Sequence, residues 1–216
     1  MKLHLGCGQN YLDGYVNIDF PPSEHTVQEK SIADRLADIT SLRFPANSIE
    51  EVRLHHVFEH FRRPQITGMV ACWNSWLKLG GIVHVEVPDL GRMARVFANP
   101  FASLSARAVA ERHLFGSHEA GWAAHYEGYD ESLLRHMYSA LGLEVIQVKR
   151  QHWRGTDNLH VLGRKVRHLN PGEDVTNAGR RFLSSFLVDD TPGELRMLDI
   201  WLEGFHQQVR NGWATD

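Results

Sequence analysis

Gly6 and Gly8 stand in the run HLGCGQN, directly after a short apolar segment, and Asp19 ends the next apolar segment, YVNID. Glycines placed after a strand let the backbone take positive φ and approach a ligand closely. An acid at the end of the second strand can accept two hydrogen bonds from ribose hydroxyls. A G-x-G-x-x-G dinucleotide fingerprint would need a third glycine at position 11, where Tyr11 stands, so the NAD pattern is incomplete. Histidine is the second source of chemistry, with 14 in the chain. His55, His56 and His60 fall in the run LHHVFEHF, and His113, His118, Glu119 and His125 fall in a later segment. Imidazole is the usual general base near neutral pH. The spacing 113, 118, 125 is not a familiar zinc pattern, and neither Cys7 nor Cys72 is near it, so no metal is expected. Trp122 and Tyr126 can stack on a sugar or an aromatic substrate, or equally plug the segment. Cys7 reads as a small apolar residue under the loop rather than a nucleophile.

These residues need elements to position them. Lys2–Leu5, Tyr15–Asp19, Glu50–His55 and Gly81–Val87 read as strands, the last β-branched and stopped by Pro88; Phe20-Pro21-Pro22 closes the second. Ile66, Met69, Val70, Trp73, Trp76 and Leu77 give a helix that starts near Pro64 and ends at Gly80-Gly81. Strands separated by such helices argue for a parallel sheet with helices on both faces. Leu90–Phe97 and Ser103–Leu114 read as helices, and FGSHEAGWAAHYEGYD follows where a connection should be short. Asp130 caps a helix ended by Gly142. Leu143–Val148 and Leu159–Val166 are strands whose link, about Lys149 to Asn158, is too short for a helical crossover, so they should pair antiparallel. In the tail, a helix is expected over about Thr176 to Leu187. Thr191-Pro192-Gly193-Glu194 reads as a capping box ahead of an apolar stripe through Leu195, Leu198, Trp201, Leu202, Phe205 and Val209. That stripe must dock on the domain or on another subunit.

Five segments in order, LHLGCGQNYLDGYVNIDF, LADIT, EEVRLHHVFEHF, LKLGGIVHVEVPD and GYDESLLRHMYSALGLEVIQV, resemble the class I S-adenosylmethionine-dependent methyltransferases, in particular the small type-11 kind. The resemblance runs from about Lys2 to Val166. It implies a doubly wound Rossmann-like α/β fold with a seven-stranded mixed sheet and an antiparallel last strand. It also implies S-adenosylmethionine as cofactor and methyl transfer as activity. Carried over residue by residue, Gly6 and Gly8 face the methionine part, Asp19 holds the ribose, and Asp38 with Ile39 sits by the adenine. His55 lies near the methionine, and Glu59 and His60 form the family's EH pair, with His60 read as a structural hydrogen bonder. The implied cofactor-binding set is Gly6, Cys7, Gly8, Asp19, Phe20, Asp38, Ile39, His55 and His56. The family's acid ahead of the first glycine is His4 here, and the third glycine is missing. The chain starts directly at strand one, so the substrate's cover is expected from the insertion at 89–128 and from the tail. The catalytic candidates are therefore placed in the insertion: His113, His118 and His125.

The remaining bounds come from composition. The chain has 216 residues, 43% hydrophobic and 23% charged, which fits one domain with an appendage: residues 1–167 and a helical extension at 168–216. Two cysteines exclude a disulfide framework, and the absence of a leader or a membrane-length apolar run points to a cytoplasmic protein. A net charge of -3 argues against a nucleic-acid partner and for a small-molecule or saccharide-type acceptor. A homodimer through the C-terminal helices is open. Two other readings stand beside the enzyme: a non-catalytic scaffold or regulatory subunit that binds the cofactor, and a nucleotide-dependent enzyme on a related sheet.

Overall fold

The computed structural model describes residues 1–21, 23 and 30–215; Pro22 of the expected strand stop lies outside them. Seven strands form one sheet: β1 (Lys2–Leu5), β2 (Val16–Asp19), β3 (Arg35–Leu36), β4 (Ile49–His55), β5 (Leu77–Pro88), β6 (Leu143–Trp153) and β7 (Thr156–Lys165). Their order is β3-β2-β1-β4-β5-β7-β6. β1 to β5 are mutually parallel, while β7 runs antiparallel to β5 and to β6. This is the mixed sheet expected from the sequence. The helices are α1 (Arg63–Trp76), α2 (Leu90–Ala98), α3 (Leu104–Phe115), α4 (Glu131–Ala140), α5 (Glu173–Leu183) and α6 (Pro192–Gly212).

α5 spans Glu173–Leu183 rather than about Thr176 to Leu187, and three further features differ from the sequence reading, each for a physical reason. α1 ends at Trp76 rather than at Gly80-Gly81, and β5 begins at once with Leu77, which pairs with Ile49. Lys165 reaches the end of α1 from β7, and its Nζ donates to the carbonyls of Asn74 (2.6 Å) and Leu77 (2.7 Å). A cation on the last carbonyls of a helix satisfies orphan acceptors and suits the dipole. Burial lowers the pKa of this lysine to about 8. β6 and β7 run right through the expected link, joined by a two-residue turn in which Arg154 (φ 48°) and Gly155 (φ 87°) are both left-handed, as a type I′ hairpin requires. The capping box at Thr191 does not form: the Thr191 side chain makes no cap bond, and Glu194 Oε2 instead accepts from the backbone N–H of Val188.

The tail packs on its own domain. Leu198, Leu202 and Phe205 are buried in the same core as Trp73, Trp76 and Phe182. Fully burying each such side chain contributes about 1.5–3 kcal/mol. The approach is close: a Cβ on Gly179 would lie 2.6 Å from Phe205, and one on Gly68 would lie 2.7 Å from Gln208. Buried Asn74 adds a polar tie, donating to the carbonyls of Leu141 and Arg167 (both 2.9 Å) and accepting from the N–H of Leu169. This layer packs α5 and α6 against α1.

Candidate functional site

The turn after β1 is built around its glycines. Gly6 has φ 67°, and a Cβ there would sit 2.5 Å from Val57 Cγ2, so no other residue fits without moving that neighbour. The N–H groups of Gly6 and Cys7 donate to Ile18 O (2.8 and 3.2 Å), which locks the turn to the end of β2. There Asp19 is buried; its Oδ2 accepts from Gly8 N–H (2.7 Å) and its Oδ1 from Phe20 N–H (2.8 Å). A carboxylate has lone pairs for about four hydrogen bonds. Cys7 is packed beneath the turn, and burial pushes its thiol up to about 11, so it stays protonated. Asp38 caps the 3-10 turn Ile39–Ser41 through Thr40 N–H (2.8 Å).

Gly6, Cys7, Gly8, Asp19, Phe20, Asp38, Ile39, His55 and His56 all line one cavity of about 570 Å³. They come from four separate stretches of sequence that only the parallel sheet brings together. Asn10, Val57, His60 and Trp122 join them; His60 stood beside the cofactor segment in the sequence reading and Trp122 in the insertion, whereas Asn10 and Val57 carried no signal there. A second cavity, about 530 Å³, shares His56, His60 and Trp122 with the first and is lined further by His113, His125 and Asn158. The insertion thus supplies one wall of the second cavity. Of the three histidines singled out there, His118 lines neither cavity; it is exposed and its Nε2–H donates to Phe115 O (2.9 Å). Glu119 and Tyr126 are also exposed and outside both cavities.

The remaining cavity histidines are held by hydrogen bonds and ion pairs. His113 Nε2–H donates to Asp157 O (3.2 Å) and Asn158 Oδ1 (3.0 Å), so Nδ1 carries the lone pair. The amide of Asn158 is itself oriented by Nδ2–H donating to Glu86 Oε1 (3.0 Å). Burial, and then the charge of His56, keeps the pKa of His113 below the ordinary value. His125 Nδ1–H donates to Leu114 O and His60 Nδ1–H to Ala124 O, both 3.2 Å. His56 is left-handed (φ 51°), an uncommon conformation for a side-chain-bearing residue, and lies between two carboxylates. Its Nδ1 is 3.2 Å from Glu59 Oε1 and its Nε2 3.5 Å from Glu86 Oε1. Burial works against charge on His56, but the hydrogen bonds to both carboxylates outweigh it and raise the pKa to about 10. Glu59 is fully buried; burial pushes it up, and the hydrogen bond and charge of His56 bring it below the usual carboxylate range.

A second set of histidines lies on the sheet itself. His4, His55, His84 and His160 stand in a row across β1, β4, β5 and β7, with successive ring centroids 5.2, 6.2 and 6.1 Å apart. Arg53 Nε donates to His55 Nε2 (2.8 Å), and Asn10 Nδ2 lies 2.7 Å from His55 Nδ1. His4 Nδ1–H donates to Asn17 Oδ1 (3.0 Å). The departure at position 4 is therefore one end of this row.

No protein-family model matches this sequence, and no curated protein matches it. By structure it is similar to a SAM-dependent methyltransferase from Methanosarcina mazei (TM-score 0.50, 15% identity, 76% of this chain and 92% of that one). It is also similar to the Burkholderia thailandensis 1,6-didemethyltoxoflavin-N1-methyltransferase solved with 1,6-didemethyltoxoflavin and S-adenosylhomocysteine (TM-score 0.52, 12% identity, 77% of this chain and 71% of that one). A third likeness is to a chain in the Haloferax volcanii complex of the Trm112 methyltransferase activator with a methyltransferase (TM-score 0.53, 14% identity, 78% of this chain and 83% of that one). These likenesses show the fold, which is that of the class I SAM-dependent methyltransferases.

Proposed function

We propose that this protein is an S-adenosylmethionine-dependent methyltransferase acting on a small-molecule or saccharide-type acceptor. The observation that carries the reading is the pair of cavities that meet at His56, His60 and Trp122, one lined by the whole expected cofactor set. When bound, the cofactor would supply an electrophilic methyl group on a sulfonium, whose carbon would bond to the acceptor as the C–S bond breaks and S-adenosylhomocysteine leaves. The residues present fit it. Gly8, where a Cβ would meet nothing within 4 Å, leaves room for a ligand against the backbone, Gly6 lets the turn pack on Val57, Asp19 would offer its carboxylate to ribose hydroxyls, and Asp38 with Ile39 would flank the adenine. The second cavity takes the acceptor. There His113 is the general base, because Asp157 and Asn158 fix its tautomer and leave Nδ1 to accept the acceptor's proton. Orientation and exclusion of water supply the rest of the rate.

The catalytic part is residues 1–167, with 89–128 as its cover and 168–216 as a helical buttress. With Leu198, Leu202 and Phe205 in the chain's own core, a homodimer through α6 is left to its exposed residues Leu195 and Ile200. Both cysteines are free and buried, and among the described residues no helix is long and apolar enough to cross a membrane; the setting we assign is cytoplasmic. A cavity with a fixed imidazole in its wall speaks against a non-catalytic scaffold, and the antiparallel β6–β7 pair speaks against a dinucleotide enzyme.

Calorimetric titration with S-adenosylmethionine, S-adenosylhomocysteine and NAD tests the reading. Micromolar binding of the first two, weakened at least tenfold in both Asp19→Ala and Asp38→Ala, is expected. Binding of NAD alone, or of none of the three, overturns it. Once an acceptor is in hand, His113→Ala should lower kcat by about 10²–10³ while leaving S-adenosylhomocysteine affinity unchanged.

A further inference from the structure

Glu59 is fully buried, yet its Oε2 has no hydrogen-bond partner. An ionised carboxylate oxygen left in that state is costly. Beside it stand His60 and His125, their rings 4.6 Å apart and nearly perpendicular. Each spends Nδ1–H on a backbone carbonyl, of Ala124 and of Leu114 respectively. Nε2 of each is then the ring nitrogen turned to the cluster, and His125 Nε2 lies 4.0 Å from Glu59 Oε1. Among the described residues these three form a group whose ligand atoms all lie within 4.8 Å of one another.

We propose that Glu59, His60 and His125 bind a divalent cation of the zinc class. The donor set is two imidazole nitrogens and one carboxylate, which suits a borderline cation with an open coordination position. Metal-bound histidines characteristically anchor their other ring nitrogen on a carbonyl or carboxylate, as both do here. His56 would then act from outside the shell, its Nδ1 on Glu59 Oε1 orienting the ligating carboxylate. Bonds of about 2.0–2.2 Å would draw the three donors together by roughly an ångström. His60 and His125 line the cavity assigned to the acceptor, so the open position would take an oxygen of a small molecule held there. The site escaped the sequence reading because the pair that matters is His60 with His125, from different segments, rather than the three histidines of the insertion.

The test needs no cofactor and no acceptor, so its failure leaves the methyltransferase reading untouched. The full chain is stripped with a chelator, dialysed, and titrated with Zn²⁺ alone and with Co²⁺ alone, with metal analysis after desalting. One equivalent per chain is expected, with a visible Co²⁺ absorption band. His60→Ala and His125→Ala should each weaken binding by about 100-fold or more and remove the band. Glu59→Gln should do the same where it folds, and His168→Ala, on an exposed loop, should change nothing. Absence of stoichiometric binding in the unaltered protein overturns the proposal. So does binding that survives both histidine substitutions, which would place the cation elsewhere.

Discussion

The histidine row on the sheet and the histidine cluster at the junction of the two cavities use the same side chain to opposite ends. In the row, burial is the main influence and Arg53 adds to it: the pKa of His55 is lowered to about 4 and that of His84 to about 3. These rings are neutral at pH 7. In the cluster, His56 is also buried, but two carboxylates surround it and its pKa rises to about 10. Glu86 touches both regions, with Oε2 3.8 Å from His55 and 3.6 Å from His160, and Oε1 3.5 Å from His56. Burial by itself therefore does not decide the charge of an imidazole; the sign and distance of its neighbours do. The row forms a neutral, hydrogen-bonded sheet face, whereas the cluster holds a charged His56 between the carboxylates of Glu59 and Glu86.

The largest way to break this contrast is to remove the cluster's buried carboxylate. Glu59→Ala removes the nearest partner of a half-exposed His56 that keeps Glu86, and should cost about 1.5–3 kcal/mol, read from urea unfolding at pH 7. A loss below 1 kcal/mol would mean that the pair is not formed in solution.

Next comes acid. His4, His55, His84 and His160 all have folded pKa values below the ordinary 6.5, with Arg53, Glu51, Glu86 and Lys149 around them. Below pH 6.5 the unfolded chain takes up protons that the folded row refuses. Stability present above that pH is thus lost as the pH falls toward 4 and 3. The slope is about 1.4 kcal/mol per histidine per pH unit. Urea midpoints between pH 7.5 and 5 should show it, and His84→Gln should flatten the limb; an unchanged limb would remove the row as its source.

Arg53→Met sharpens the comparison from the other side. Both His55 and His84 should titrate at higher pH, by less than the contribution of burial, because the cation is the second influence on each. An NMR titration of the ring protons reads this, and a downward shift would contradict it. The smallest effect is expected outside both regions: His118→Ala, with its ring on the surface, should change unfolding free energy by no more than about 0.5 kcal/mol.

By itself the sequence determined the β1 turn, the acid after β2, the β-branched β5 and the antiparallel closing pair. Each is written in a contiguous stretch through glycine freedom, alternation or the shortness of a link. The residues read from those stretches for a cofactor share one cavity, because each motif and its turn are local. Tertiary structure alone decided that α1 stops at Trp76, because the cap is Lys165 from β7. It also decided that His118 faces water while His113 is anchored on Asn158, and that His60 meets His125. The histidine row depends on register across strands far apart in the chain, and a one-residue slip would turn its side chains to the other face. Protonation and ligand geometry arise from such through-space neighbours, which local spacing along one chain does not encode.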